Sequence, residues 1–175
     1  MTPDLRRLGA ALAAGLALAV AGASCSETAD TLDRAGTERA VERVVGGRIG
    51  PDVDRVRCPQ EIPRGRGRRF SCRAVLADEV GDVRLRVRQA DDDGRLEVEL
   101  LDAVVDRRDV ADDLRRTLVS TYLREFTVDC GDPGPRVVAP GTTFTCDAAD
   151  PAGEREVEVT VTDAAGTLSY DVGRG

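Results

Sequence analysis

The chain has 175 residues, a formal charge of -7 and aromatics at only 3% of positions, and it contains no His, Lys, Trp or Asn. All 25 basic residues are Arg, which cannot be deprotonated to serve as a general base or Schiff-base amine. Without His, the Ser-His-Asp and Cys-His arrangements and any imidazole zinc site are excluded, and the scarcity of aromatics together with the negative charge argues against nucleic acid as a partner.

The N-terminus reads as an export signal over residues 1–24. Arg6 and Arg7 precede the apolar run Leu8 to Val20, which is too short for an ordinary spanning helix, and the small residues Ala21-Gly22-Ala23-Ser24 follow. Two cleavages are compatible with this stretch. Cleavage after Ala23 would release a soluble secreted chain. Gly22-Ala23-Ser24-Cys25 instead resembles the bacterial lipobox, in which the Cys carries the lipid, although Gly22 replaces the usual bulky aliphatic residue. Of five cysteines, Cys25 is the odd one, and lipid attachment is the simplest use for it in an exported protein. The expected location is therefore extracytoplasmic, anchored to the outer face of the cytoplasmic membrane, with residues 25–32 as lipidated Cys and polar tether.

Beyond the tether the chain repeats itself. Cys58-Pro59 followed by Gly67-Arg68-Arg69-Phe70-Ser71-Cys72 is answered by Cys130-Gly131 and Gly141-Thr142-Thr143-Phe144-Thr145-Cys146, with Phe144 lying 74 residues after Phe70. A period this long signals a duplicated small domain. The first helix is expected over Thr37 to Val45, with Val41, Val44 and Val45 at helical spacing and Gly46-Gly47 supplying a left-handed stop. The hairpin that closes the first copy alternates Val83, Leu85 and Val87 with Arg84, Arg86 and Arg88. It turns through Asp91-Asp92-Asp93-Gly94 and returns with Leu96, Val98 and Leu100 alternating with Glu97 and Glu99. In the second copy Asp109 is expected to cap a helix whose stripe is Val110, Ala111, Leu114, Leu118 and Tyr122. Its hairpin runs through Val157, Val159 and Val161, the turn Asp163-Ala164-Ala165-Gly166, and Leu168, Tyr170 and Val172.

The expected fold class is α+β: two tandem small domains, 33–105 and 106–175, each with one helix packed on a roughly four-stranded antiparallel sheet and one internal disulfide. Cys58 with Cys72 and Cys130 with Cys146 is the natural pairing, although four cysteines allow three connectivities. Each bridge would close a loop of about 15 residues, worth about 3 kcal/mol on the chain-entropy model. Domains this small commonly need such staples. Neither pair has the Cys-x-x-Cys spacing of redox or zinc sites, so no metal and no cofactor are expected.

Together the export signal, lipobox-like Cys, helix, Cys-Pro, Gly-x-x-Phe-x-Cys and Val-rich hairpin resemble an uncharacterised domain of unknown function common in actinobacterial secreted proteins and lipoproteins. The resemblance covers nearly all of the chain beyond the signal as two copies. It implies an envelope location, a disulfide and a small α+β fold, and no known activity.

Function is read accordingly as a non-catalytic interaction or binding module, anchored by its lipid and engaging another envelope protein. An alternative is contact with an anionic surface or wall polymer through Arg64, Arg66, Arg68 and Arg69, whose guanidiniums can fork onto phosphates. Charge asymmetry favours that reading: Arg48 to Arg73 holds eight Arg against three acids, whereas Asp106 to the end holds eight Arg against fourteen acids. A secreted hydrolase using Glu97 and Glu99, or Glu156 and Glu158, is the weakest reading, because these carboxylates alternate along a solvated strand face and nothing in the sequence indicates a cleft around them. Asp91 to Asp93 form a consecutive run ending in Gly, which suits a hairpin turn rather than a calcium loop.

Overall fold

A computed structural model describes residues 30–173. The export signal, Cys25 and the tether as far as Ala29 lie outside the described residues. Within them the chain forms helix α1 (Arg34–Gly46) and strands β1 (Val53–Arg57), β2 (Arg69–Leu76), β3 (Asp82–Gln89) and β4 (Leu96–Leu100). These are followed by β5 (Ala103–Asp106), helix α2 (Arg107–Tyr122), β6 (Thr127–Asp129), β7 (Pro135–Val138), β8 (Thr143–Asp150), β9 (Gly153–Val161) and β10 (Leu168–Val172). Strands β1-β2-β3-β4 make one antiparallel sheet and β6-β8-β9-β10 another in the same order, so the fold is α+β and duplicated.

Helix α1 starts where the Asp33 carboxylate accepts the Gly36 amide at 2.8 Å, and it buries Thr37, Val41 and Val45 on the sheet. It does not stop on a left-handed residue. Gly47 has φ -81°, and the amides of Arg48 and Ile49 both reach back to the Val45 carbonyl, so the chain leaves through a right-handed turn. Helix α2 is capped by Asp106, three residues before the expected Asp109, because Asp106 is where β5 ends and its carboxylate accepts the Arg108 amide. The left-handed cap falls on Leu123, φ 55°, whose amide bonds the Val119 carbonyl.

Period-two patterning decides which strand residues face the helices. Val83, Leu85 and Val87 in β3, and Val157, Val159 and Val161 in β9, are fully buried, while the Arg and Glu residues between them face solvent. Cys58 is bonded to Cys72 and Cys130 to Cys146 on these inner faces. Glu38 of α1 accepts the Cys58 amide at 2.9 Å and thereby ties the first staple to its helix.

Strands β5 and β7 form a separate two-stranded ribbon, which the sequence did not suggest. Ala103 and Val105, placed in the first repeat by the sequence boundaries, are buried in the second core. Val104 and Val137, opposite each other in the ribbon, pack against the first core. The alternation of one short strand thus joins the two halves. Gly81 allows the approach, since a Cβ there would lie 3.3 Å from Val137 Cγ2. The first repeat has a reduced counterpart in which Thr31 bridges Pro63 and the Leu32 amide bonds the Ile62 carbonyl at 2.9 Å. Asp30 to Leu32, expected as the end of the tether, therefore belong to this fold, with Leu32 in its core.

Candidate interaction surfaces

The arginine loop between β1 and β2 is ordered by one buried residue. Gln89, fully buried at the end of β3, accepts the Gly65 amide on Oε1 at 2.9 Å and donates Nε2 to the Pro63 carbonyl at 2.9 Å. Its own carbonyl accepts the Gly67 amide at 2.7 Å. Asp92 accepts the Arg66 amide at 3.1 Å, so the Asp91 to Gly94 turn braces the loop from the other side. Gly67 sits at φ 78°, where a Cβ would be strained. Arg64, Arg66, Arg68 and Arg69 are all exposed on this frame. Arg64 pairs with Asp30 at 3.2 Å, and Arg69 enters β2 directly opposite Arg88 of β3. The backbone of the loop is thus tied down at Pro63, Gly65, Arg66 and Gly67, while the arginine side chains project from it into solvent.

The carboxylates considered for hydrolysis lie on open sheet surface. Glu97 pairs with Arg88 at 2.7 Å and Glu99 with Arg86 at 3.1 Å, each more than half exposed. Glu156 and Glu158 are likewise exposed on β9. A cleft of about 730 Å³ lies between the repeats and is lined by Asp52, Asp78, Glu79, Asp106, Asp109 and Arg136 among others. Asp106 there is occupied with the amides of Arg108 and Gly134. Among the described residues no three His, Cys, Asp or Glu side chains converge as metal ligands.

Acids with shifted titration serve structural bonds. The Arg84 guanidinium, forked onto buried Asp102 at 2.5 to 3.1 Å, holds that carboxyl below its ordinary value against the opposing effect of burial, and the Arg84 amide assists. Glu38 is lowered first by the Cys58 amide. Tyr170 donates its hydroxyl to Asp113 at 2.7 Å, lowering Asp113, while burial and that carboxylate push Tyr170 upward. Asp163 is lowered by Thr167 and by turn amides.

A second arginine cluster was not anticipated from the sequence. Asp150, its side chain fully buried, pairs with Arg155 at 3.1 Å and Arg124 at 3.2 Å. The Arg155 guanidinium lies 5.5 Å from the Phe126 ring centroid and 5.8 Å from that of Tyr122. The signal was present in the parity of β9, where Arg155 shares the inward face with Val157.

Among the described residues no helix is long and apolar enough to cross a membrane. Each helix covers one face of its sheet, leaving the other as exposed, charge-patterned surface. No curated protein and no solved structure matches the chain. The duplicated frame, with its two staples and repeated strand order, instead meets a family model twice, over residues 18–94 and 96–166, and the chain belongs to the family described as Domain of unknown function (DUF4333).

Proposed function

We propose that this protein is a cell-envelope lipoprotein, held through Cys25 at the outer face of the cytoplasmic membrane, and that it works as a non-catalytic interaction module. The observation that carries the reading is the outward face of each sheet: exposed, dense in charge and braced by a disulfide on the opposite side. Such a surface is suited to recognition by complementary charge. The signal-like N-terminus and the fifth cysteine support the anchor. Mass measurement of the mature N-terminus tests it, with a diacylglyceryl-modified Cys25 expected and a Cys25→Ala variant released to the medium. An unmodified chain beginning at Ser24 would replace the anchor with soluble secretion.

The exposed loop of Arg64, Arg66, Arg68 and Arg69 favours a second reading, contact with an anionic surface or wall polymer. Arg66, Arg68 and Arg69 have no carboxylate partner among the described residues. Binding to phosphatidylglycerol vesicles or a teichoic-type polymer should fall steeply with salt and vanish in the quadruple Arg-to-Ala variant. Retention of binding by that variant removes this reading.

A further inference from the structure

Strand register superimposes the two sheets residue by residue. Leu85 lies opposite Cys72 as Val157 lies opposite Cys146, and Cys58 and Cys130 directly follow β1 and β6. One position away from each of these inward residues the side chains turn out to solvent. In the first repeat Arg57 faces Arg73, and Arg73 faces Arg84, across three adjacent strands. In the second repeat the same three positions are Asp129, Asp147 and Glu156, again directly opposed. All six residues are exposed. The charge is inverted at every one of the three positions.

Like charges directly opposite each other weaken a sheet, so each row works against the repeat that carries it. Arg84 is relieved by Asp102. Arg57, Arg73 and the three acids have no ion-pair partner among the described residues, and no ion pair joins one row to the other. Glu158 opposite Asp171 extends the acidic face, and Arg69 extends the basic one, which ends toward β4 where Glu97 and Glu99 pair with Arg88 and Arg86.

We infer that these faces are the two halves of one interface, in which the Arg57-Arg73-Arg84 face of one copy docks on the Asp129-Asp147-Glu156 face of a second copy. This deepens, and rests on, the interaction-module reading. Both rows cross three strands spaced about 4.8 Å apart, so guanidiniums and carboxylates share one pitch and face-to-face apposition sets each against its opposite. An anionic surface would account for the basic row and leave the acidic row without a role. A second copy accounts for both. Tethering copies to one membrane would raise their effective concentration and strengthen a weak contact.

The test is sedimentation velocity on the chain lacking its first 25 residues, which keeps both cores and both disulfides, over a concentration series. Association is expected at about 20 mM salt and should weaken by about tenfold or more at about 500 mM. Arg57→Glu with Arg73→Glu makes both faces acidic, and Asp147→Arg with Glu156→Arg makes both basic; Arg84 and Asp129 are spared because each makes a bond within the fold. Each double variant alone should be monomeric, and an equal mixture of the two should associate again. Because restoration requires both variants to be folded, it separates lost contact from lost fold. A wild-type chain that is monomeric throughout, variants that still self-associate, or a mixture that stays dissociated would each overturn the inference. Phosphatidylglycerol vesicles form the last arm. A monomeric chain that binds them through Arg57 and Arg73 rules out the second copy in favour of an anionic surface, whereas a chain that does neither overturns the second copy and leaves the interaction module to a different protein partner.

Discussion

Asp150 of the second repeat occupies the place held by Leu76 in the first. Each is the last residue of the strand after its disulfide cysteine, and each sits at the mouth of the following hairpin. Across that hairpin Arg155 takes the place of Val83, so two apolar core positions of one copy hold an ion pair in the other. Removing one partner of such a pair leaves a charge without compensation, whereas replacing both with apolar residues does not. Asp150→Leu alone should cost about 3 kcal/mol in urea unfolding. Asp150→Leu with Arg155→Val, which restores the first repeat's pair, should recover most of that loss. A double variant no more stable than the single one would show that Arg124 and the two aromatic rings, not the pair, hold this corner.

Much of the fold was legible because alternation is unambiguous where Val or Leu meets Arg or Glu, as in Val83 to Arg88 and Val157 to Val161. The cap of α2 was misplaced because Asp106 and Asp109 both precede the apolar stripe, and only the end of β5 distinguishes them. Ala103-Val104-Val105 is a short apolar run without alternation of polarity, so it hid a strand packed against a core on each side. Gln89 and Arg155 were legible in principle: each lies on the inward parity of a Val-rich strand, where a polar residue needs a partner. The opposed charge rows were out of reach, since they depend on register between strands rather than on pattern along one.

Gln89 stands where the second repeat has Val161, and its side chain fastens the arginine loop at Gly65 and Pro63. Gln89→Leu keeps the bulk and removes both side-chain bonds, leaving the Gly65 amide and the Pro63 carbonyl without their buried partner. The expected loss is about 1 to 3 kcal/mol. Amide exchange should accelerate at Gly65, which loses its acceptor, while Gly67, bonded to the backbone carbonyl of residue 89, should remain protected. Equal acceleration at both would mean that the strand end, not the side chain, orders the loop.

Acid should weaken the first repeat through Asp102. Its carboxyl is held low by Arg84, so its contribution is complete above the unfolded value of about 3.9 and is lost as pH falls through the lower folded value. Asp102→Asn should therefore cost about 2 kcal/mol at pH 7. The gap between wild type and variant should narrow as pH drops below about 4. Urea midpoints at pH 7 and in strong acid give the comparison, and a constant gap would assign the effect to shape rather than charge.

The β5–β7 ribbon makes a prediction about cooperativity. Ala103 and Val105 point into the second core while Val104 and Val137 point into the first, with Val137 seated on Gly81. Each repeat has its own staple and its own sheet, so this ribbon is what should make them unfold together. Val137→Asp places a carboxylate against the first core without touching either disulfide, at an expected cost of about 2 kcal/mol. The loss should appear as a split: one unfolding transition in the wild type, and two in the variant, with the first repeat melting earlier. Tyr122 and Tyr170 both belong to the second repeat, so tyrosine fluorescence should follow the later step, while far-ultraviolet circular dichroism should report both. A single transition shifted as a whole would mean that Val104 and the neighbouring backbone suffice to couple the halves.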